Sequence, residues 1–182
     1  MESLDNLVLR AKERDPEAFG LIYDEFSQKL FRFIKLKVQV QVEAEDVLQE
    51  VFIKAWQALP RFELEGSNFN AWMYRITTNT INDYFRRKYR RPETVELSDT
   101  LAIQGAESPS EDLSKSMDAS LIRDALRTLL PQYREILELR FIQDFSIQET
   151  AKILKRSHVS VRVLQHRALK KLQEVYTPQI HR

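Results

Sequence analysis

The sequence predicts an all-α fold made of two small helical domains joined by a flexible acidic linker, the C-terminal domain being a helix-turn-helix. Three observations predict it. Only 3 glycines occur in 182 residues, and the strong helix formers Leu, Glu, Lys, Arg, Gln and Ala dominate. Apolar residues recur at three- and four-residue spacing through most of the long segments, the period of a helix with one buried side. That period lapses over residues 92–116, PETVELSDTLAIQGAESPSEDLSKS, where Pro, Gly, Ser and acid take over. The chain therefore divides into a first domain at 1–91, a linker at 92–116 and a second domain at 117–176.

Composition excludes several classes of function. There is no Cys, so disulfides, thiolate catalysis and Cys-based zinc sites are ruled out. No apolar run approaches the ~20 residues of a membrane span, and MESLDNLVLRAKERD has no signal-peptide hydrophobic region. The expected location is the cytoplasm, without membrane insertion. A formal net charge of +1 conceals an uneven distribution: residues 93–118 are acidic, whereas 84–91 and the C-terminal helices are basic.

Leu4, Leu7, Val8 and Ala11 predict a first helix that ends before Asp15. Asp15 as N-cap and Pro16 at the first helical position start a second, which reaches about Lys37. Phe19, Ile22, Tyr23, Phe26, Leu30, Phe33, Ile34 and Val38 are its expected core side. A third helix covers roughly Glu43 to Leu59, with Leu48, Val51, Phe52 and Ala55 inward. Asp46, Gln49, Glu50 and Ile53 share another face of it, polar and acidic with an apolar residue in the middle. That face has three readings: an ordinary solvated surface, a carboxylate metal site, or a docking surface for a basic protein. The metal reading is weak, because a di-metal bundle needs Glu-x-x-His pairs and the three His, at 158, 166 and 181, fall elsewhere.

After a loop, Ser67 and Asn68 offer caps for a helix from about Phe69 to Arg87. Phe69, Met73, Ile76, Thr80 and Tyr84 lie on one side of it. Opposite them Arg75, Asn79, Asn82 and Arg86 form a stripe of donors without carboxylates, bordered by Trp72, Tyr74 and Phe85 and extended by Arg87, Lys88, Arg90 and Arg91. Rings that stack on bases, interleaved with cations that follow phosphates, suit single-stranded nucleic acid.

Beyond the linker, a helix is expected over 117–130 and another from Pro131 through Phe141. Ser146-Ile-Gln-Glu149 is then a capping box, and Ser157 caps a longer helix whose inner stripe is Val161, Leu164, Ala168 and Leu172. Between Thr150 and Gln173 there are seven Lys or Arg and no carboxylate, a surface that attracts phosphate. The helix-turn-helix would set its second helix in the major groove, with residues near its N-terminal end contacting base edges. Lys155 stands where the turn favours Gly, at a cost of roughly 1 kcal/mol if left-handed.

With these motifs in place, the chain resembles the extracytoplasmic-function (ECF) class of bacterial sigma-70 RNA polymerase sigma factors over nearly its full length. AEDVLQEVFIKAWQALPRF is similar to the family's polymerase-binding segment, and FNAWMYRITTNTINDYFRR to its -10 recognition and melting helix. LPQYREILELRF with FSIQETAKILKRSHVSVRVLQHRALKKL is similar to its -35 domain. The resemblance implies that Asp46, Gln49 and Glu50, with Ile53 on the same face, dock on core RNA polymerase. It implies that Asn68, Trp72, Arg75, Asn79, Asn82, Arg86 and Arg87 meet the opened -10 strand, residues 64–68 capturing a flipped base. Lys155, Arg156, Ser157, His158, Ser160, Arg162, Gln165 and Arg167 would meet the -35 duplex. The departures are Lys155-Arg156, where Gly and an apolar residue are usual, and Leu164, where the family keeps Arg. The resemblance implies a non-enzymatic initiation factor with no catalytic residue, metal or cofactor, and an anti-sigma factor as a further partner. The rival reading is a stand-alone helix-turn-helix transcriptional regulator, which has no use for the Asp46-Gln49-Glu50 face.

Overall fold

In a computed structural model, residues 2–64, 68–90 and 125–180 are described, and every regular element among them is helical. Helix α1 spans Leu4–Lys12, capped by Ser3, whose hydroxyl accepts from the Asn6 N–H at 3.3 Å. The chain reverses through Arg14 at φ 68°. Asp15 then accepts from the N–H groups of Glu17 and Ala18 at 2.9 and 3.3 Å, and Pro16 opens α2, Pro16–Lys35. Arg10 reaches from α1 to the same carboxylate at 2.7 Å, fixing the corner.

Ala18, Ile22, Phe26, Leu30, Phe33 and Ile34 bury one side of α2, while Tyr23, expected in the core, is 43% exposed with its ring against Phe52. Helix α3, Gln41–Ala58, buries Ala44, Val47, Val51, Phe52 and Ala55. Leu48 is only half-buried, because the seam runs along positions 44, 47, 51 and 55. A 3-10 turn at Leu59–Arg61 ends α3, and α4 runs Phe69–Arg90. The Asn68 side chain caps it, accepting from the Ala71 N–H at 3.3 Å. On α4 the hydroxyls of Thr77 and Thr80 donate to the carbonyls of Met73 and Ile76 at 2.9 Å each, so these polar side chains are buried at little cost.

The linker at 92–116 and the first part of the helix expected over 117–130, up to 124, lie outside the described residues, and 125–128 is helical. Helix α5, Pro131–Leu137, does not continue evenly to Phe141: it widens into a π turn over Glu138–Ile142. The widening keeps Leu139 inside and leaves Phe141 53% and Ile142 65% exposed. After Asp144 at φ 52°, Ser146 opens α6, Ile147–Leu154, with both bonds of the capping box formed: Glu149 N–H to the Ser146 hydroxyl at 3.1 Å and Ser146 N–H to Glu149 Oε2 at 2.8 Å. Lys155 is left-handed at φ 52°, ψ 46°, and Ser157 caps α7, His158–Ile180, by accepting from the Ser160 N–H at 3.1 Å.

The two helical domains lie against each other. Helix α6 packs on α4, and Leu139, Phe145 and Ile153 join the core of the first domain. Phe145 meets Tyr74 edge-on at 5.2 Å, Asn68 donates to Glu149 Oε1 at 2.7 Å, and the Lys37 ammonium stands 2.6 Å from Glu135, within ion-pair reach but off a hydrogen-bonding line.

Candidate nucleic-acid and partner interfaces

Helix α3 presents Asp46, Gln49 and Ile53 outward, Ile53 being 57% exposed. Glu50, on the same face, is half-buried and already engaged. Its two oxygens accept from Arg87 at 3.1 and 2.6 Å, and Lys54 approaches at 2.8 Å. The Arg87 guanidinium, with Lys54 beside it, holds the Glu50 carboxyl down at about 2 despite partial burial. The ladder continues from Lys54 to Asp83 at 3.1 Å and from Asp83 to Arg86 at 2.7 Å, while Lys88 pairs with Glu43 at 2.8 Å. The donors of α4 are therefore not free of carboxylates. The spacing that sets Arg86 and Arg87 on α4 also sets Asp83 beside them, and α3 brings Glu43 and Glu50 across.

Along α4, Arg75, Asn82 and Arg86 are exposed and Asn79 is half-buried. Trp72 is half-buried, its ring 4.9 Å from Phe62 and 5.3 Å from Phe69. Tyr74 does not border the stripe: it is 1% exposed, wedged between Phe33 and Phe145. Asn68 sits at the N-terminal end of the helix and is committed to Glu149. Burial pushes the Glu149 carboxyl up, but donation from Ser146 and then Asn68 outweighs it and leaves the group below its ordinary range.

On the second domain Lys155, Arg156, Ser157, His158, Arg162 and Arg167 are exposed, and Ser160 is half-buried. Gln165 is half-buried too, its amide oxygen accepting from Arg140 Nε at 2.9 Å, and Arg140 also donates to the carbonyl of Phe145. Arg140 and Gln165 thereby brace α7 against the turn before α6. Sequence reasoning passed over Val159 and Val163, which are 68% and 43% exposed on α7. Their signal was present: both fall opposite the Val161, Leu164, Ala168 stripe on a helical wheel. Between the domains an apolar groove of about 200 Å³ is lined by Leu36, Leu126, Leu137, Phe141, Ile142 and Leu172 among others.

Among the described residues no group of acidic or His side chains could hold a metal ion, and no helix is long and apolar enough to cross a membrane.

Residues 22–91 match the family model for sigma-70 region 2, and residues 119–172 match that for sigma-70 region 4. The chain is 32% identical to the ECF RNA polymerase sigma factor SigX of Bacillus subtilis over 87% of this chain and 83% of SigX. It belongs to the ECF sigma factors of the sigma-70 family. This sigma factor is also 33% identical to BldN of Streptomyces coelicolor over 91% of its own length, but spans only 63% of BldN. Among solved structures, the sigma factor RpoE of Bartonella quintana, in complex with the anti-sigma factor NepR, shares 28% identity at a TM-score of 0.69, covering 87% of this chain and 96% of that one. CnrH, solved with the cytosolic domain of CnrY, has the same fold at a TM-score of 0.63.

Proposed function

We propose that this sigma factor directs promoter-specific initiation by bacterial core RNA polymerase. Asp46, Gln49, Glu50 and Ile53 on α3 form its docking face for the polymerase. Arg75, Asn79, Asn82 and Arg86 on α4, with Asn68 and Trp72 at its start, hold the opened -10 strand, Arg87 lying between this surface and Glu50. The turn from Lys155 through Ser157 and the N-terminal half of α7 meet the -35 duplex. The protein works in the cytoplasm without catalysis of its own. Neither DNA surface needs high affinity alone, because mounting both on one polymerase raises the effective concentration of the second contact.

The observation that carries this reading is the order of two sigma-70 regions in one chain, the first with an acidic outward face on α3 behind a donor stripe on α4. The test is run-off transcription with sigma-free core polymerase and a pool of genomic promoter fragments. Discrete starts that require the chain and vanish on Asp46→Lys support it. Asp46 is the better probe than Glu50, whose reversal would also break the bonds to Arg87 and Lys54. Retention of duplex by the chain alone, without transcripts, would instead favour a stand-alone regulator.

An anti-sigma factor is the second partner. RpoE of Bartonella quintana was solved with one, and the apolar groove lined by Leu36, Phe141 and Ile142 offers an apolar helix a seat across both domains. Co-purification from the host with polymerase as the sole partner would overturn this assignment.

A further inference from the structure

On α7, which the reading above places against the -35 duplex, the outward face is not a simple row of cations. At 3.6 residues per turn, Val159, Val163, His166 and Lys170 fall within about 60° of one another, with Arg162 and Arg167 on either flank. The two valines are 68% and 43% exposed at the centre of that face. Gln165 is turned aside and held by Arg140. Ser160 is half-buried, and Ser157 is occupied in capping the helix. The residues best placed to meet base edges are therefore apolar ones framed by charge.

Two exposed valines ringed by Arg162, His166, Arg167 and Lys170 fit a surface that is anionic at its edges and apolar in its middle. In the major groove the apolar feature on a base edge is the C5 methyl of thymine, and the phosphates lie to both sides. We propose that Val159 and Val163 are specificity-determining residues that read thymine methyl groups in the -35 duplex, while Arg162 and Arg167 hold the flanking backbones. This rests on the assignment of α7 to the -35 element and adds what that helix selects. Four residues of helix advance about 6 Å, or roughly two base-pair steps at 3.4 Å per step. The valines therefore address thymines on neighbouring or next-but-one pairs.

The test uses polymerase reconstituted with the full chain and a promoter found by run-off transcription. Each -35 thymine is replaced in turn by deoxyuridine, which removes only the methyl, and binding is measured by competition. Burial of one methyl predicts about a fourfold loss for the unaltered protein at one or two positions. Val163→Ala or Val159→Ala should lower binding by a similar factor and abolish the response to deoxyuridine at its own position. Val163→Thr, which keeps one methyl, should restore part of it. Both valines are exposed, so melting temperatures of the variants check that the fold is kept. Strictly additive losses from Val→Ala and deoxyuridine would overturn the proposal. So would indifference to deoxyuridine while Arg162→Ala still weakens binding, an outcome that leaves α7 on the duplex but gives the valines to a protein partner. If Arg162→Ala, Arg167→Ala and the valine variants are all without effect, the -35 assignment of α7 itself fails.

Discussion

Around Phe26, Phe33, Phe62 and Phe69 the first domain closes on itself, with Phe26 and Phe62 both edge-on to Phe69 and Phe33 edge-on to Tyr74. Among the described residues the second domain encloses less: its own core holds Leu129, Ile136, Leu137, Ala151, Val161 and Ala168, and its Leu139, Phe145 and Ile153 are buried in the first. A short helical segment has little interior to bury, and here the deficit is met by a neighbour. The seam differs in chemistry from the first core as well. The hydroxyls of Tyr74 and Thr78 on α4 and of Thr150 on α6, and Nε of Arg134 on α5, are buried without hydrogen-bond partners among the described residues. One domain is thus a self-sufficient platform, and the other a reader that leans on it.

The largest effect that would sharpen this comparison is at Phe26. Phe26→Ala should destabilise the first domain by about 3–5 kcal/mol, read as a lower urea midpoint, and should carry the second domain with it. Phe145→Ala should cost about 3 kcal/mol, the low end of that range, since the ring fills a seam between two domains. Its mark should be a larger radius of gyration by small-angle scattering with the first domain still folded. If the two substitutions cost the same and neither opens the molecule, the contrast between platform and reader fails.

Two smaller effects separate the domains by local chemistry. Lys155→Gly should stabilise the second domain by about 0.5–1 kcal/mol, because glycine adopts the left-handed turn without the Cβ clash, partly offset by the entropy glycine loses. Differential scanning calorimetry would show the gain in that domain. In the first domain, Glu50 titrates at about 2 when folded against an ordinary 4.5. Its contribution is therefore complete above pH 4.5 and is lost as pH falls from there toward 2. The pair is partly solvated, so the loss is about 0.5–1 kcal/mol. Glu50→Gln should remove that part of the acid sensitivity from urea midpoints compared at pH 7 and pH 3.

Most helices were legible because apolar spacing records which side of each is buried, and the caps at Asp15, Ser146 and Ser157 record where they begin. The left-handed Lys155 was legible for the same local reason, since a tight turn after a short helix demands it. What could not be read was which outward faces meet. Tyr74 borders the donor stripe in the sequence pattern, yet Phe145, some seventy positions on, covers it. The Arg87 to Glu50 pairing likewise joins helices whose rotation about one another no periodicity records. Val159 and Val163 were legible only from the helical wheel, where they fall opposite the Val161, Leu164 and Ala168 stripe.

Glu149 divides its two oxygens between two tasks: Oε2 receives the Ser146 N–H and Oε1 receives Asn68. Parting the domains costs this carboxylate one donor while the other stays in place, so the cap of α6 survives separation. The carboxylate works as a clasp whose fixed half belongs to the helix and whose free half belongs to the neighbour. Separation there leaves both bonds of the α6 cap formed, so the helix that precedes the reading helix keeps its start.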